Sequence, residues 1–451
     1  MVDFLICYEH IVREVENDTL IKYELEKRGY TCEIMPFNGP GFFQHALLED
    51  ARVVITPWLR YDENTFHYLK LAAKPHKLVN LQWEQVYSQD DLNSGMVSTS
   101  TQAKKAFHLC WGDNSKERLT LAGVAERNLI ITGAIQLDYG RPAFEAYFLD
   151  RGSIASEFEL DCSKEWLLLI SSFAYVNYGS DAIKELENQF GCSLVEQVKL
   201  HTASQSVVLD WTERLMKAVD YEIIYRPHPS EKVDDRLKKM QVHYPRFHVI
   251  PNYSVKQWAK VSDKTNLWIS TSNAELSAMG IDYAIVRPVP IPAELEVESM
   301  REESFITDYD AFFQYNTSGA DGFSISPSER MKKLSHYYSY DENVPSYVKV
   351  ADCLEKIIKT DCGATYYFSF SQQIRFGWQE LKKLVISFIM EKYQNKPYHT
   401  RVSRLPLKQI IRNNIIRNLD NHAQEKQTEA AMLQYMENEV PPQNSARNTY
   451  N

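Results

Sequence analysis

From Asp3 to Val286, short apolar runs alternate with stretches whose apolar positions recur every three or four residues. Asp3–Cys7, Thr31–Met35, Arg52–Thr56, Leu78–Leu81, Phe107–Trp111 and Leu129–Thr132 read as buried strands. Between them Glu16–Arg28, Asn64–Ala73 and Ser115–Ala122 read as helices, and Gly29 supplies the stop of the first. The alternation, at about 20–30 residues per unit, predicts right-handed βαβ units and a parallel sheet. Pro142–Leu160 breaks it with mixed aromatic and acidic residues and reads as a connection. The pattern then resumes. Trp166–Ile170, Glu222–Tyr225, Phe247–Ile250, Asn266–Ile269 and Tyr283–Val286 read as strands. Gln205–Val219, Lys232–Tyr244, Ser254–Lys260 and a helix ending at Gly280 read as their partners.

This predicts an α/β chain of two doubly wound, Rossmann-like domains, 1–150 and 151–360, facing a cleft. In such sheets ligands sit at the carboxyl ends of the strands. Polar residues collect there. Arg13 and Glu14 follow the first strand, and Gln82-Trp83-Glu84-Gln85 the fourth. Gly112-Asp113 follows the fifth, and Gly133 and Asp138 the sixth. Each alone is more often a turn or cap residue; the shared edge makes a site of them. Ser171-Ser172-Phe173 stands at the same place in the second half.

The sharpest chemistry is Tyr221–Glu231, YEIIYRPHPSE. Pro227 and Pro229 fix their own φ and push Arg226 and His228 toward extended geometry. A stiff turn at a strand end then presents a guanidinium that can fork onto phosphate and an imidazole that can donate a hydrogen bond or a proton. The segment Ser270-Thr271-Ser272-Asn273-Ala274-Glu275 has the spacing of a capping box, Ser272 to Glu275. Hydroxyls at a helix start also suit phosphate, and Glu275 suits ribose hydroxyls.

Composition narrows the classes. The 451 residues are 44% hydrophobic and 24% charged, enough for more than one core. A net charge of −10 argues against a general nucleic-acid binder. The seven cysteines are scattered without a C-x-x-C pair, which fits a reduced cytoplasmic setting. The N-terminus turns charged too early for a signal peptide. No G-x-G-x-x-G follows the first strand, so a standard NAD site is not expected. Asp308-Tyr309-Asp310 matches D-x-D but reads as a solvated acidic loop. No metal or cofactor is expected.

Several segments, in order, resemble surface-carbohydrate biosynthesis proteins of the GT-B glycosyltransferase type: Arg13-Glu14, Leu20–Tyr30, Gln82–Gln85, CWGD at 110–113 and ITGAIQLD at 131–138. The R-P-H-P and S-T-S-N-A-E-L segments are similar to the donor side of capsule-type, sialic-acid, Kdo and polyol-phosphate transferases. The chain departs from the pattern at Ala134-Ile135-Gln136, where Asn-Pro-Arg is usual, and at Trp83, where His is common. The resemblance implies a metal-independent transfer from a nucleotide sugar, cytidine-linked by preference, to a polysaccharide or lipid-linked acceptor. In that scheme Arg226, His228, Ser270, Thr271, Ser272, Asn273 and Glu275 face the donor. Arg13, Gln82 and Asp113 face the acceptor, and Glu84 or Glu14 is the base, with Asp113 behind them. A non-hydrolysing nucleotide-sugar 2-epimerase shares the two-domain plan. A scaffold that has lost its chemistry is the non-enzymatic alternative.

The tail differs from the rest. Val348–Lys359 reads as a helix closing the second domain. Gln372–Asn418 carries ten Lys or Arg residues against two Glu, and Leu405–Leu419 has apolar residues at helical spacing. This basic helical region, 361–420, suits an anionic membrane surface, or equally a face packed back on the first domain or an oligomer contact. Residues 421–451 read as unstructured chain.

Overall fold

The computed structural model describes residues 1–393, apart from 38, 94–96, 98, 177, 191–192, 229–230, 232, 319–324 and 362, and residues 424–436. Two six-stranded sheets, parallel throughout, make the frame. The first holds β1 (Phe4–Tyr8), β2 (Cys32–Pro36), β3 (Val53–Thr56), β4 (Leu78–Asn80), β5 (Phe107–Cys110) and β6 (Leu129–Ile131), in the order β2-β1-β3-β4-β5-β6. The second holds β7 (Trp166–Ile170), β8 (Glu222–Arg226), β9 (Phe247–Val249), β10 (Lys264–Leu267), β11 (Ala284–Val286) and β12 (Phe305–Ile306), in the order β12-β11-β10-β7-β8-β9. The sequence pattern did not mark β12, whose two residues are too short to show a period. Every residue of β1, β3, β7 and β8 is buried, as expected for parallel strands covered by helices on both faces.

Strand order reverses between β1 and β3 and again between β7 and β10. These are the switch points at which open sheets leave a crevice. The register puts Ile170 beside both Arg226 and Leu267. The ends of β7, β8 and β10 therefore lie level, and the segments that follow them enter one space.

Some expectations are corrected. The helix Ser346–Lys359 packs on the first helix, Ile11–Lys27, and so returns to the first half instead of closing the second. Arg28 pairs with Asp352 at 2.7 Å and Glu355 at 3.1 Å across that contact. Asp138, expected at the crevice, is buried and accepts the Ser346 and Tyr347 amides at 3.0 Å each. It satisfies the free N–H groups that a helix start leaves over.

The helix Phe370–Tyr393 lays one face on the first half. Glu380 meets His67 at 3.0 Å, Ser387 donates to the Gly39 carbonyl at 3.1 Å, and Glu391 accepts the Gly41 amide at 2.8 Å. Residues 424–436, expected to be unstructured, form a helix with Glu425, Glu429, Met432 and Met436 buried. Half of that stripe is carboxylate, so hydropathy did not reveal it; Tyr8 donates to Glu425 at 2.8 Å. Leu405–Leu419 lies outside the described residues. Asp308 caps the helix Tyr309–Ser318 by accepting the Ala311 amide at 2.9 Å, so the D-x-D segment is a helix start and not a loop. Among the described residues no helix is long and apolar enough to cross a membrane.

Candidate active site

The level strand ends of both sheets border one cavity of about 340 Å³. The second half supplies Ser171 and Ser172 after β7, Arg226 and His228 at the end of β8, and Ser270, Thr271, Ser272 and Glu275 after β10. The first half supplies Glu9, His10 and Arg13 after β1, Trp83 and Glu84 after β4, Trp111 after β5 and Gln136 after β6.

The second-half wall is held from behind. Glu231, at the end of the R-P-H-P-S-E run, turns its carboxylate inward. It accepts from Ser171 Oγ, from Tyr225 OH at 2.5 Å, from Gln205 Nε2 at 3.0 Å and from the His228 amide at 3.1 Å. One buried acceptor thus ties β7, β8, the helix Val195–Met216 and the His228 turn together. Arg226 Nη1 donates to the Pro227 carbonyl at 2.6 Å and Nη2 to that of Tyr253 at 3.0 Å. Its buried Nε–H has no partner among the described residues.

Burial, with Arg226, Arg13 and His10 nearby, pushes the His228 imidazole down to about 4. At neutral pH it is therefore an uncharged ring. Ser270 Oγ accepts the Ser272 amide at 3.3 Å, and Thr271 occupies the cap position. The predicted capping box is thus out of frame by one residue, which leaves the Glu275 carboxyl on the cavity wall. Burial raises Glu275 to about 7; Lys256 opposes that shift and Glu16 adds to it. Asn273 is fully buried beneath this wall and does not line the cavity.

The first-half wall is looser. Glu84 is half-exposed and pairs with Arg13 Nη1 at 3.3 Å. His10 stands in the same opening, 3.8 Å from Glu9. Glu14 is corrected: it is fully buried, bonded to Arg13 at 2.6 Å and to the Glu9 amide at 2.6 Å, and does not line the cavity. Gln82 also misses the cavity. It is buried with φ of 50° and donates to the Glu84 carbonyl and Tyr87 OH at 3.1 Å each. It shapes the loop that carries Trp83 and Glu84. Asp113 begins the helix Asp113–Leu121, exposed and outside the cavity.

Sequence reasoning passed over His10, Lys256 and Glu231. His10 follows β1 directly, so the strand-end rule that selected Arg13 and Glu14 applied to it as well. Lys256 bridges the halves, with Nζ 3.2 Å from Glu16 and 3.7 Å from the Tyr139 ring centre. No local signal marks it. Among the described residues no group of three or more His, Cys, Asp or Glu side chains could hold a metal ion.

Solved structures share this architecture. The S. aureus MnaA–UDP co-structure matches with TM-score 0.51 and 13% identity, covering 81% of this chain and 100% of that one. The wall teichoic acid polymerase TagF matches in a CDPG soak with TM-score 0.50 and 12% identity, covering 79% and 88%. Another TagF structure matches at 0.51 and 11%, covering 79% and 89%. The fold is GT-B. No protein-family model matches the sequence. No curated protein matches it either.

Proposed function

We propose that the cavity binds a nucleotide-activated sugar and transfers the sugar to a surface polysaccharide or lipid-linked acceptor, without a metal. One observation carries this reading: eight residues from three second-half strand ends, among them an uncharged histidine and a buried arginine whose Nε–H has no partner among the described residues, share one cavity with carboxylates of the first half. Transfer from a nucleotide sugar needs a stabilised leaving phosphate, a deprotonated acceptor hydroxyl and a site that excludes water.

In this reading Arg226 Nε–H and the hydroxyls of Ser270, Thr271 and Ser272 meet the phosphate oxygens. His228 donates its N–H to the oxygen that leaves with the nucleotide. Because the ring is uncharged at neutral pH, it gives a directed hydrogen bond without a buried ion. Glu275 accepts from the ribose. The acceptor enters along Trp83, Trp111 and Gln136, and Glu84 or His10 takes its proton. Glu14, enclosed by Arg13, positions that arginine. The CDPG soaked into TagF fits a cytidine-linked donor, and the UDP bound to MnaA fits a uridine-linked one.

A thermal-shift panel of CMP, CDP, UDP and GDP decides between them. A ligand that binds only the folded chain raises its stability by RT ln(1 + [L]/Kd), and a selective rise names the nucleotide. No rise with any of them would sink the reading. Incubation with the matching nucleotide sugar and no acceptor separates transfer from epimerisation: a changed sugar, still nucleotide-linked, would make the chain an epimerase. The reaction belongs to a cytoplasmic face, where nucleotide sugars are supplied.

A further inference from the structure

The face of the Phe370–Tyr393 helix turned away from the protein exposes a run of large apolar side chains that the cavity does not use. Phe370 and Trp378 are 79% and 65% exposed, and Ile374, Leu381, Val385 and Phe388 are each about half exposed. Their spacing of four, four, three, four and three residues puts all six on one stripe along the helix. A contiguous apolar stripe of this length marks a contact.

Charge selects the kind of contact. The exposed ionic residues of this helix are Arg375, Lys382 and Lys392. Its two carboxylates are used inward, Glu380 on His67 and Glu391 on the Gly41 amide. The exposed charges of this helix are therefore all cationic, with Arg375 and Lys382 along one edge of the apolar stripe and Lys392 at its end. An antiparallel second copy of the same helix would bring Arg375 and Lys382 against their own counterparts along one flank, with no exposed acid of the helix to pair them. An anionic lipid surface meets both features: headgroups pair with the cations, and Phe370, Trp378 and Phe388 are residue types that settle at the boundary of headgroup and acyl chain. The first half is braced against the opposite face of the helix, so docking would not disturb the fold.

We propose that this face docks the protein in the plane of an anionic lipid surface. The proposal is independent of the transfer reading, because its test does not use activity. The full chain is sedimented with vesicles of phosphatidylcholine alone or mixed with phosphatidylglycerol. It should pellet with the mixed vesicles only, and salt should weaken the binding. A double variant Arg375→Gln, Lys382→Gln should bind roughly thirtyfold more weakly. Trp378→Ser with Leu381→Ser should lose at least tenfold. Both should melt where the parent does, since the changed side chains are exposed. Three results would overturn the proposal: a parent chain that stays in the supernatant with mixed vesicles; undiminished binding by both variants, which would give the contact to residues 394–423; or a dimer in solution that Trp378→Ser, Leu381→Ser dissociates, which would give the stripe to a second copy.

Discussion

The two walls of the cavity are built on different principles. The second-half wall is set by buried hydrogen bonds: Glu231 alone accepts four, one of them from the His228 amide. The first-half wall is set by a half-exposed ion pair, Arg13 to Glu84, and by His10 beside Glu9. A network of buried bonds has one low-energy arrangement, because each unmade bond leaves a costly group behind. A surface ion pair contributes little and re-forms easily. The difference teaches that one side of the cavity is pre-organised, as a fixed phosphoryl group requires. The other can re-pair as an acceptor arrives.

If that contrast holds, the largest effect on turnover comes from the rigid wall. His228→Ala should lower the turnover number by about a hundredfold to a thousandfold, the usual weight of one preorganised hydrogen-bond donor on developing charge. The unfolding midpoint should hardly move, since the ring lines a cavity. Equal turnover in this variant would remove the residue from the mechanism. Glu231→Ala should do both kinds of damage. It strands Ser171, Tyr225, Gln205 and the His228 amide, at a cost of about 3 kcal/mol in denaturant unfolding. Turnover should fall with it through the displaced imidazole. Glu231→Gln keeps a carbonyl acceptor and should recover part of both losses.

The same contrast explains what the chain discloses before it is folded. The end of β7 is legible to the residue, because Trp166–Ile170 is an unbroken apolar run followed by serines. The R-P-H-P turn is legible because proline fixes local geometry. Glu14 and Glu84 look alike in sequence, yet one is enclosed by Arg13 and the Glu9 amide and the other is half in solvent. Burial of that kind depends on which loop lies opposite, and no period encodes it. Asp138 is a sharper case: its partners are the amides of residues 346 and 347, more than two hundred positions away. The periodicity of Ser346–Lys359 reveals a helix but not the first helix, Ile11–Lys27, that it packs against. The helix at 424–436 escaped notice because two of its four buried positions are glutamates.

The looser wall should respond more mildly and more divisibly. Glu84→Gln and His10→Gln each remove one candidate base. The true base should cost about a hundredfold in turnover and leave the nucleotide affinity unchanged. The other should cost only a few-fold. Glu14→Gln should chiefly lower stability, by about 2 kcal/mol, because it weakens a buried charge-assisted bond to Arg13. Should Glu14→Gln instead abolish turnover in a chain that melts normally, the assignment of Glu14 as a positioning group would fall.

The smallest effect is the one that tests how dry the rigid wall is. Glu275 loses its proton near pH 7, where an ordinary glutamate has long been ionised. Between about pH 4.5 and 7 the folded chain holds a proton there that the unfolded chain has released, so this residue's share of stability declines as pH rises through that window. Ligand binding should follow the same proton. Below pH 7 the wall is neutral at this point, and above it an anion faces an anionic nucleotide. Nucleotide affinity should therefore fall by a few-fold between pH 6 and pH 8, at most tenfold per pH unit. Glu275→Gln should flatten that dependence while keeping the affinity seen at the acidic end. Calorimetric titration of parent and variant at the two pH values gives the answer. An unchanged slope in the variant would assign the proton to another group and make this wall wetter than the buried network behind His228 implies.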